Sequence, residues 1–399
     1  MAGVTGVGTT FGLPNYHGEL LAITPSDTPF LTALGGISGA RQTTSTAFEW
    51  QTSDLRDPSQ PAVLEGATAP TAQERVRANV SNVVQIHQEK VSVSYTKQAA
   101  IGQYTTPGSA PFRSLSGAEN PVGNELDWQV GEALKTVALD VNFSFINGQL
   151  NVPTTNAAAR KTKGIVQAIT TNVTNKGTTI SGTSATDTIT ATHALNDGDK
   201  VVFTDIGAAT NVVVGRAYYV VNKVSTTSFK VALTAGGTAI TLGTATVALI
   251  DPWATTLTNV HVEDLIQGVY DNGGMNGDAA TLVVNSAQKR AITAAYATAY
   301  GKAMPYNGSR NVAGVAMDTL LTDFGTLNIL VDRHAPQDAI IACSMDQLAP
   351  VFLNIPGKGV FFEEPLAKTG ASDEVQIYGE IGLQFGNEKA HGIVRGLAC

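Results

Sequence analysis

An α+β protein carrying a separate all-β insertion is the architecture that the patterning of this 399-residue chain predicts. Three stretches lead to it. Residues 120–148 hold one long apolar stripe at helical spacing, and residues 41–99 alternate as two strands around an irregular tip. Residues 171–252 change abruptly to short Thr-rich strands.

The first forty residues contain no Lys or Arg and are rich in Gly, Thr and Pro, which reads as an extended arm. Within it Ser26 or Asp27 is placed to cap a helical turn starting near Pro29, with Phe30, Leu31 and Leu34 as docking anchors. An arm without a core of its own gains its order from contacts elsewhere. In residues 41–99, Thr44, Thr46, Phe48 and Trp50 form one period-two series and Val91, Val93 and Tyr95 another, the expected arms of a long hairpin. Its tip carries Pro58, Pro61, Pro70 and Gly66 among charges that include Arg56, Glu65, Arg75 and Arg77. Two strands alone are marginal in water, so the hairpin is expected to lie on something, a neighbouring subunit being the natural candidate.

Leu126, Val130, Leu134, Val137, Val141 and Phe145 recur at steps of three and four, which predicts one long amphipathic helix. Asn120 or Asn124 can cap it, Pro121 suits its first turn, and Gly148 suits its end. At 1.5 Å per residue the helix spans roughly 36 Å, long enough to serve as a spine. Residues 165–169 read as a strand that opens the next region. From Thr171 to Pro252 there is no Glu, Gln, Met, Cys or Trp, and strands are expected at 188–192, 200–203, 217–221, 228–233 and 239–242. Turn signals at 196–199 and at Gly236-Gly237 separate them, favouring a small sandwich or barrel. Beyond Trp253, Val262, Leu265, Ile266 and Val269 predict a helix ending at Gly273-Gly274. A short buried strand at 280–284 follows, then a helix to Tyr300 behind an Asn285/Gln288 capping box. Strands at 327–331, 339–342, 375–385 and 391–397 close the chain.

Composition excludes several functions. Charged residues make up 15% of the chain and the net charge is −8, which argues against gripping nucleic acid through its phosphates. The mean hydropathy of +0.04 and the lack of any bilayer-length apolar run predict no membrane partner. No signal peptide is expected, because the first basic residue is Arg41. Two cysteines cannot build a disulfide framework: Cys343 reads as an inert core thiol, and Cys399 as the one placed to oxidise. The six histidines show no metal-ligand spacing, and Ser26 and His334 lack an assembled base, nucleophile and orienting group. No enzymatic activity, metal or cofactor is therefore expected. Asp332-Arg333-His334 is compact and charged, in the manner of solvated turns before a proline.

Four stretches together carry a family resemblance: ITPSDTPFL at 23–31, FEWQTSDLRDP at 48–58, TDFGTLNILVDRHAP at 322–336 and NEKAHGIVRGL at 387–397. They resemble, in sequence order, the major capsid proteins of tailed bacteriophages in the SU10-like branch. Residues 186–240 are similar to a small β-domain that recurs in phage virion proteins, an insertion by which the chain departs from the simplest family pattern. The resemblance implies the HK97-like capsid fold, an α+β fold. It divides into an N-arm (1–40), an E-loop hairpin (41–99), a P-domain with its spine helix (100–170), an inserted Ig-like or small sandwich or barrel domain (171–252), an A-domain (253–370) and closing P-domain strands (371–399).

The function implied is self-assembly into the hexamers and pentamers of an icosahedral head that encloses the dsDNA genome. The head would be a virion component assembled in the host cytoplasm. Portal, scaffolding and decoration proteins are the implied partners, with packaged DNA touched weakly and without sequence specificity. Phe30, Leu31, Trp50, Arg56, Glu65, Arg75, Arg77, Asp332 and Arg333 are the expected assembly contacts. An encapsulin shell around a cargo enzyme, or a tail or baseplate protein, is the alternative. No lysine cross-link is expected, since Lys90 and Lys97 lie near the hairpin base.

Overall fold

The computed structural model describes residues 26–39, 41–53, 58–69, 71–72, 74–99, 125–243, 247–253, 255–275, 280–299, 317–368 and 370–398. The expected helix caps at Asn120 and Asn124, together with Arg56 and Cys399, lie outside them. The chain forms two compact units. Among the described residues, one lies within 28–87, 137–362 and 378–398; the other lies within 88–99, 125–136 and 363–377 with residues 26–27.

In the larger unit a six-stranded sheet runs in the order Met317–Thr322, Gly325–Val331, Ala280–Val284, Ile340–Ser344, Gly392–Arg395, Val173–Asn175. Its two middle strands, Ala280–Val284 and Ile340–Ser344, are buried at every position, the mark of strands covered on both faces. One face meets the helices Asn259–Asp271 and Ser286–Ala299 through Val262, Leu265, Ile266, Val269, Ile292 and Tyr296. The other belongs to the core that holds Val137, Val141, Phe145 and Ile146 of the helix Glu125–Asn147. That helix carries Glu125 and Asp127 in its first turn, favourable against the positive end of its dipole. Its buried stripe runs through Val130, Ala133, Val137 and Val141, while Leu134 is 40% exposed. Ala133 therefore replaces the expected Leu134: the buried face turns one residue earlier.

The helix stops where two glycines meet. A Cβ on Gly148 would stand 2.6 Å from Thr162 O, and one on Gly164 would stand 2.5 Å from Gly148 N. Gly164 N–H donates to Gly148 O at 2.9 Å across this backbone contact. The following segment corrects an expectation, because Ile165–Ala168 is a helical turn and not a strand. Ile165 and Val166 are buried against the spine helix core, so apolar content alone did not distinguish the two.

The hairpin also differs from its expected pairing. Ala47–Thr52 pairs antiparallel with Ala78–Val83, Ala47 opposite Val83 and Thr52 opposite Ala78. The Val91–Tyr95 series belongs instead to the next strand, Gln85–Ser94, which pairs with Ser372–Gln384, and Tyr95 starts a short helix. Gln85–Ser94 alternates more regularly than Ala78–Val83, so periodicity favoured the strand that is not the hairpin partner.

In the smaller unit Lys90 pairs with Glu374 at 2.8 Å, and Tyr95 N–H donates to Ala371 O at 3.1 Å. Lys97 bonds Glu125 at 2.6 Å and holds that carboxyl below the usual range.

Residues 180–252 close into a six-stranded barrel. Its order is Ser228–Ala232, Thr188–Thr190, Ile180–Ala185, Val247–Pro252, Lys200–Asp205, Ala217–Ser225. Ile189, Val201, Phe203, Val220, Phe229, Val231 and Ile250 point inward and are fully buried, so side chains fill the barrel. Barrel, not sandwich, is thus the outcome. The expected strand at 239–242 does not form; Ile240 N–H still bonds Val231 O at 2.8 Å, but without a ladder.

Candidate assembly interface

The hairpin is fixed at its base and bare at its tip. Asn82, 1% exposed, donates from Nδ2 to Leu383 O at 2.6 Å and to Lys163 O at 3.1 Å, and accepts from Lys163 N–H at 2.9 Å. Trp50 Nε1 donates to Gly386 O at 2.7 Å, its ring edge-on to Phe385 at 4.8 Å. Phe48 lies against Gly382, where an added Cβ would meet the ring at 2.8 Å. Just beyond the hairpin, burial pushes His87 down to about 4, leaving it neutral near pH 7.

Past Thr52 and Ala78 the described residues hold no strand. A tight turn at 64–67 is closed by Ala67 N–H to Leu64 O at 3.1 Å, and Gly66 at φ +79° takes the left-handed position that a type II turn requires. Around it Val63, Leu64 and Val76 are 72%, 85% and 80% exposed. Glu65, Arg75 and Arg77 are exposed too, and none has an ion-pair partner among the described residues. Apolar side chains and charges without an ion-pair partner among the described residues are thus exposed together on this tip.

The remaining expected contacts fall elsewhere. Phe30 and Leu31, 0% and 3% exposed, are packed into the chain's own core. The turn Pro29–Ala33 has Thr28, not Ser26 or Asp27, as its N-cap residue, with no side-chain cap of its own. Its free N–H groups are taken by the body: Phe30 N–H donates to Asp332 Oδ2 at 3.3 Å and Leu31 N–H to Asn142 Oδ1 at 2.9 Å. Asp332 is 0% exposed, and it also accepts from Asn142 Nδ2 at 2.8 Å and His334 N–H at 2.7 Å. The charged turn that reads as solvated is therefore half internal: Asp332 is a clasp for the arm, and Arg333 alone of the pair is exposed.

The same turn, 332–338, gathers the surrounding elements, which sequence reasoning missed. Asn147 Nδ2 donates to His334 O at 2.6 Å, and Asn285 Nδ2 to Arg333 O at 3.0 Å and Ala335 O at 3.1 Å. Gln288 Nε2 donates to Gln337 O at 2.8 Å and Leu397 O at 3.1 Å, so it serves this turn in place of the expected capping box. The barrel is seated here as well: Gln337 N–H donates to Gly215 O and Ala217 N–H to Gln337 Oε1, each at 2.9 Å. Asn147 and Gln337 carry no motif that would announce them, and Asn285 and Gln288 were announced only as a capping box.

Among the described residues no group of His, Cys, Asp and Glu could hold a metal ion. Burial pushes the Cys343 thiol well up, in keeping with a core position. No helix among them is long and apolar enough to cross a membrane.

A family model of the SU10 major capsid protein matches residues 3–398. The chain belongs to that family. Among solved structures, the capsid of cyanophage A-1(L) is similar at 10% identity, covering 97% of this chain and 98% of that one with a TM-score of 0.51. This likeness shows the fold, the HK97-like capsid fold with an added barrel. The capsid of cyanophage P-SCSP1u (12% identity, 98% and 94% covered, TM-score 0.48) is also similar. So is the SrpI encapsulin of Synechococcus elongatus PCC 7942 (9%, 97% and 92%, TM-score 0.49). No curated protein matches the chain.

Proposed function

We propose that this major capsid protein is the repeating subunit of an icosahedral phage head, self-assembling as hexamers and pentamers around dsDNA. The observation that carries the reading is the hairpin: pinned at its base by Asn82 and Trp50, it ends in exposed Val63, Leu64 and Val76 beside unpaired Glu65, Arg75 and Arg77. Laid on a neighbour, each tip contributes a modest contact, and repetition around closed symmetry adds these into a stable shell. The central sheet with its helices (253–370) would form the axial domain. Residues 100–170 with 371–399 would form the peripheral one. A net charge of −8 suits a wall along which packaged DNA slides. Assembly in the host cytoplasm, with portal and scaffolding proteins and a decoration protein as further partners, completes the proposal.

Sedimentation velocity tests it. Reversing Arg75 and Arg77 together to Glu should leave the subunit's unfolding free energy within about 0.5 kcal/mol of wild type, as exposed substitutions do, while assembly collapses to small species. Normal assembly by this variant would remove the hairpin from the interface.

The barrel is expected to be dispensable for closure. Its entry and exit adjoin, with Asn175 Nδ2 donating to Asp251 Oδ1 at 3.3 Å, so a short linker can replace residues 176–250 without stretching the sheet. Closed shells of lower thermal stability should result, from the bared Pro336–Gln337 seat. Absence of shells from a folded deletion variant would make the barrel an assembly element.

A further inference from the structure

The barrel meets the body at a neck containing two buried carboxylates. Asp251, 1% exposed, sits on the barrel's last strand. Its Oδ1 accepts from Thr179 Oγ1 at 2.6 Å and Asn175 Nδ2 at 3.3 Å, whereas its Oδ2 is buried with no hydrogen-bond partner among the described residues. Asp338, also 1% exposed, ends the turn on which the barrel is seated. Its Oδ2 accepts a long bond from Gly396 N–H, 3.4 Å, and its carbonyl accepts Leu397 N–H at 2.9 Å. Burial first, and the Asp251 charge second, push the Asp338 carboxyl up to about 7.

The charged groups facing Asp338 are Asp251 from the barrel and Arg395 from the closing strand. Arg395 opposes the rise least of the causes acting on Asp338; its Nη2 donates to Val166 O at 2.9 Å and its Nε is buried with no partner among the described residues. Asn175, Thr179 and Gln337 around them are neutral. The two carboxyls are linked through the sheet, since Asn175, bonded to Asp251, pairs with Arg395, whose neighbour Gly396 donates to Asp338. Two buried carboxylates so placed cannot both ionise without cost, and a proton is the smallest group that relieves it.

We propose that one proton held at Asp338 against Asp251 latches the neck, and that its release to solvent loosens the barrel's seat on the body. The latch is independent of the shell-forming role. A carboxyl whose folded value is raised loses stability as pH climbs from the ordinary carboxylate value to the raised one. Neck opening should thus grow by up to about tenfold per pH unit between about pH 4 and about pH 7, then level off.

Hydrogen exchange of the full-length protein, corrected for the intrinsic pH dependence of exchange, reads this in peptides covering 173–179, 251–253 and 395–398. Wild type should lose protection by about tenfold or more between about pH 5 and about pH 7. Asp338→Asn, neutral throughout, should keep its protection over the same range. In parallel, the infrared carbonyl band of a protonated carboxyl should vanish from wild type as pH rises through about 7 and be absent from Asp338→Asn. An unchanged slope in the variant, or a wild type without that band, overturns the proposal. If Asp338→Asn fails to fold, the wild-type infrared titration alone decides.

Discussion

Replacing Asp332 by alanine is expected to cost roughly 3–5 kcal/mol and to free the arm helix from the body. The carboxylate accepts from Phe30 N–H, Asn142 Nδ2 and His334 N–H, and no solvent reaches it. Alanine leaves those donors buried and unanswered, each costing about 1–3 kcal/mol. The loss is local in its first effect, because Phe30 and Leu31 enter the core only while their backbone N–H groups are capped by Asp332 and Asn142. Urea unfolding should show the drop in stability, and hydrogen exchange should show residues 28–34 losing protection ahead of the sheet. Asp332→Asn, which keeps an oxygen in place, should cost less, about 1–2 kcal/mol. An alanine variant as stable as wild type, with its arm still protected, would contradict the clasp.

Alanine at Gly164 should do comparable damage through pure sterics. The added methyl would stand 2.5 Å from Gly148 N, 2.7 Å from Ile146 O and 2.9 Å from Ser144 O, all backbone atoms that cannot rotate aside. Overpacking against side chains typically costs about 1–3 kcal/mol, and against a helix terminus the upper end or more is expected. The spine helix must shift or fray over its last turn, taking Asn147 from His334 O. A melting temperature close to wild type, with the Asn147 contact intact, would show that this crossing has more slack than its geometry allows. Alanine at Gly131, where a Cβ meets nothing within 4 Å, is the control and should be neutral or mildly stabilising through helix propensity.

Much of the fold was legible where a single period dominates. Val262, Leu265, Ile266 and Val269 face one core as their spacing requires, and the Thr-rich composition after residue 170 marks the barrel. Two kinds of feature were hidden. Partner choice between neighbouring strands, as for Ala78–Val83 against the more regularly alternating Gln85–Ser94, is decided by tertiary contacts such as Asn82 to Leu383, not by pattern. Short apolar runs such as 165–169 fit helix or strand alike, and burial against the spine helix settled them as a turn of helix.

The candidate interface divides the same way. Glu65, Arg75 and Arg77 were recognisable because they crowd a proline-broken tip, and the structure leaves them bare. Phe30, Leu31 and Asp332 look like surface contacts in sequence because an arm and a charged turn usually are exposed. In the folded chain Phe30 N–H bonds Asp332 across about three hundred residues and Leu31 N–H bonds Asn142 across more than a hundred, relations that no local spacing encodes.

Electron cryomicroscopy of the purified full-length protein, alone and with co-expressed phage scaffold, addresses the shell-forming role most directly. Closed shells of uniform diameter are expected, with pentamers and hexamers in which each hairpin tip, residues 58–77, lies on the adjacent subunit. A monodisperse monomer under all conditions, or open tubes and fibres with the hairpin folded onto its own chain, would contradict it.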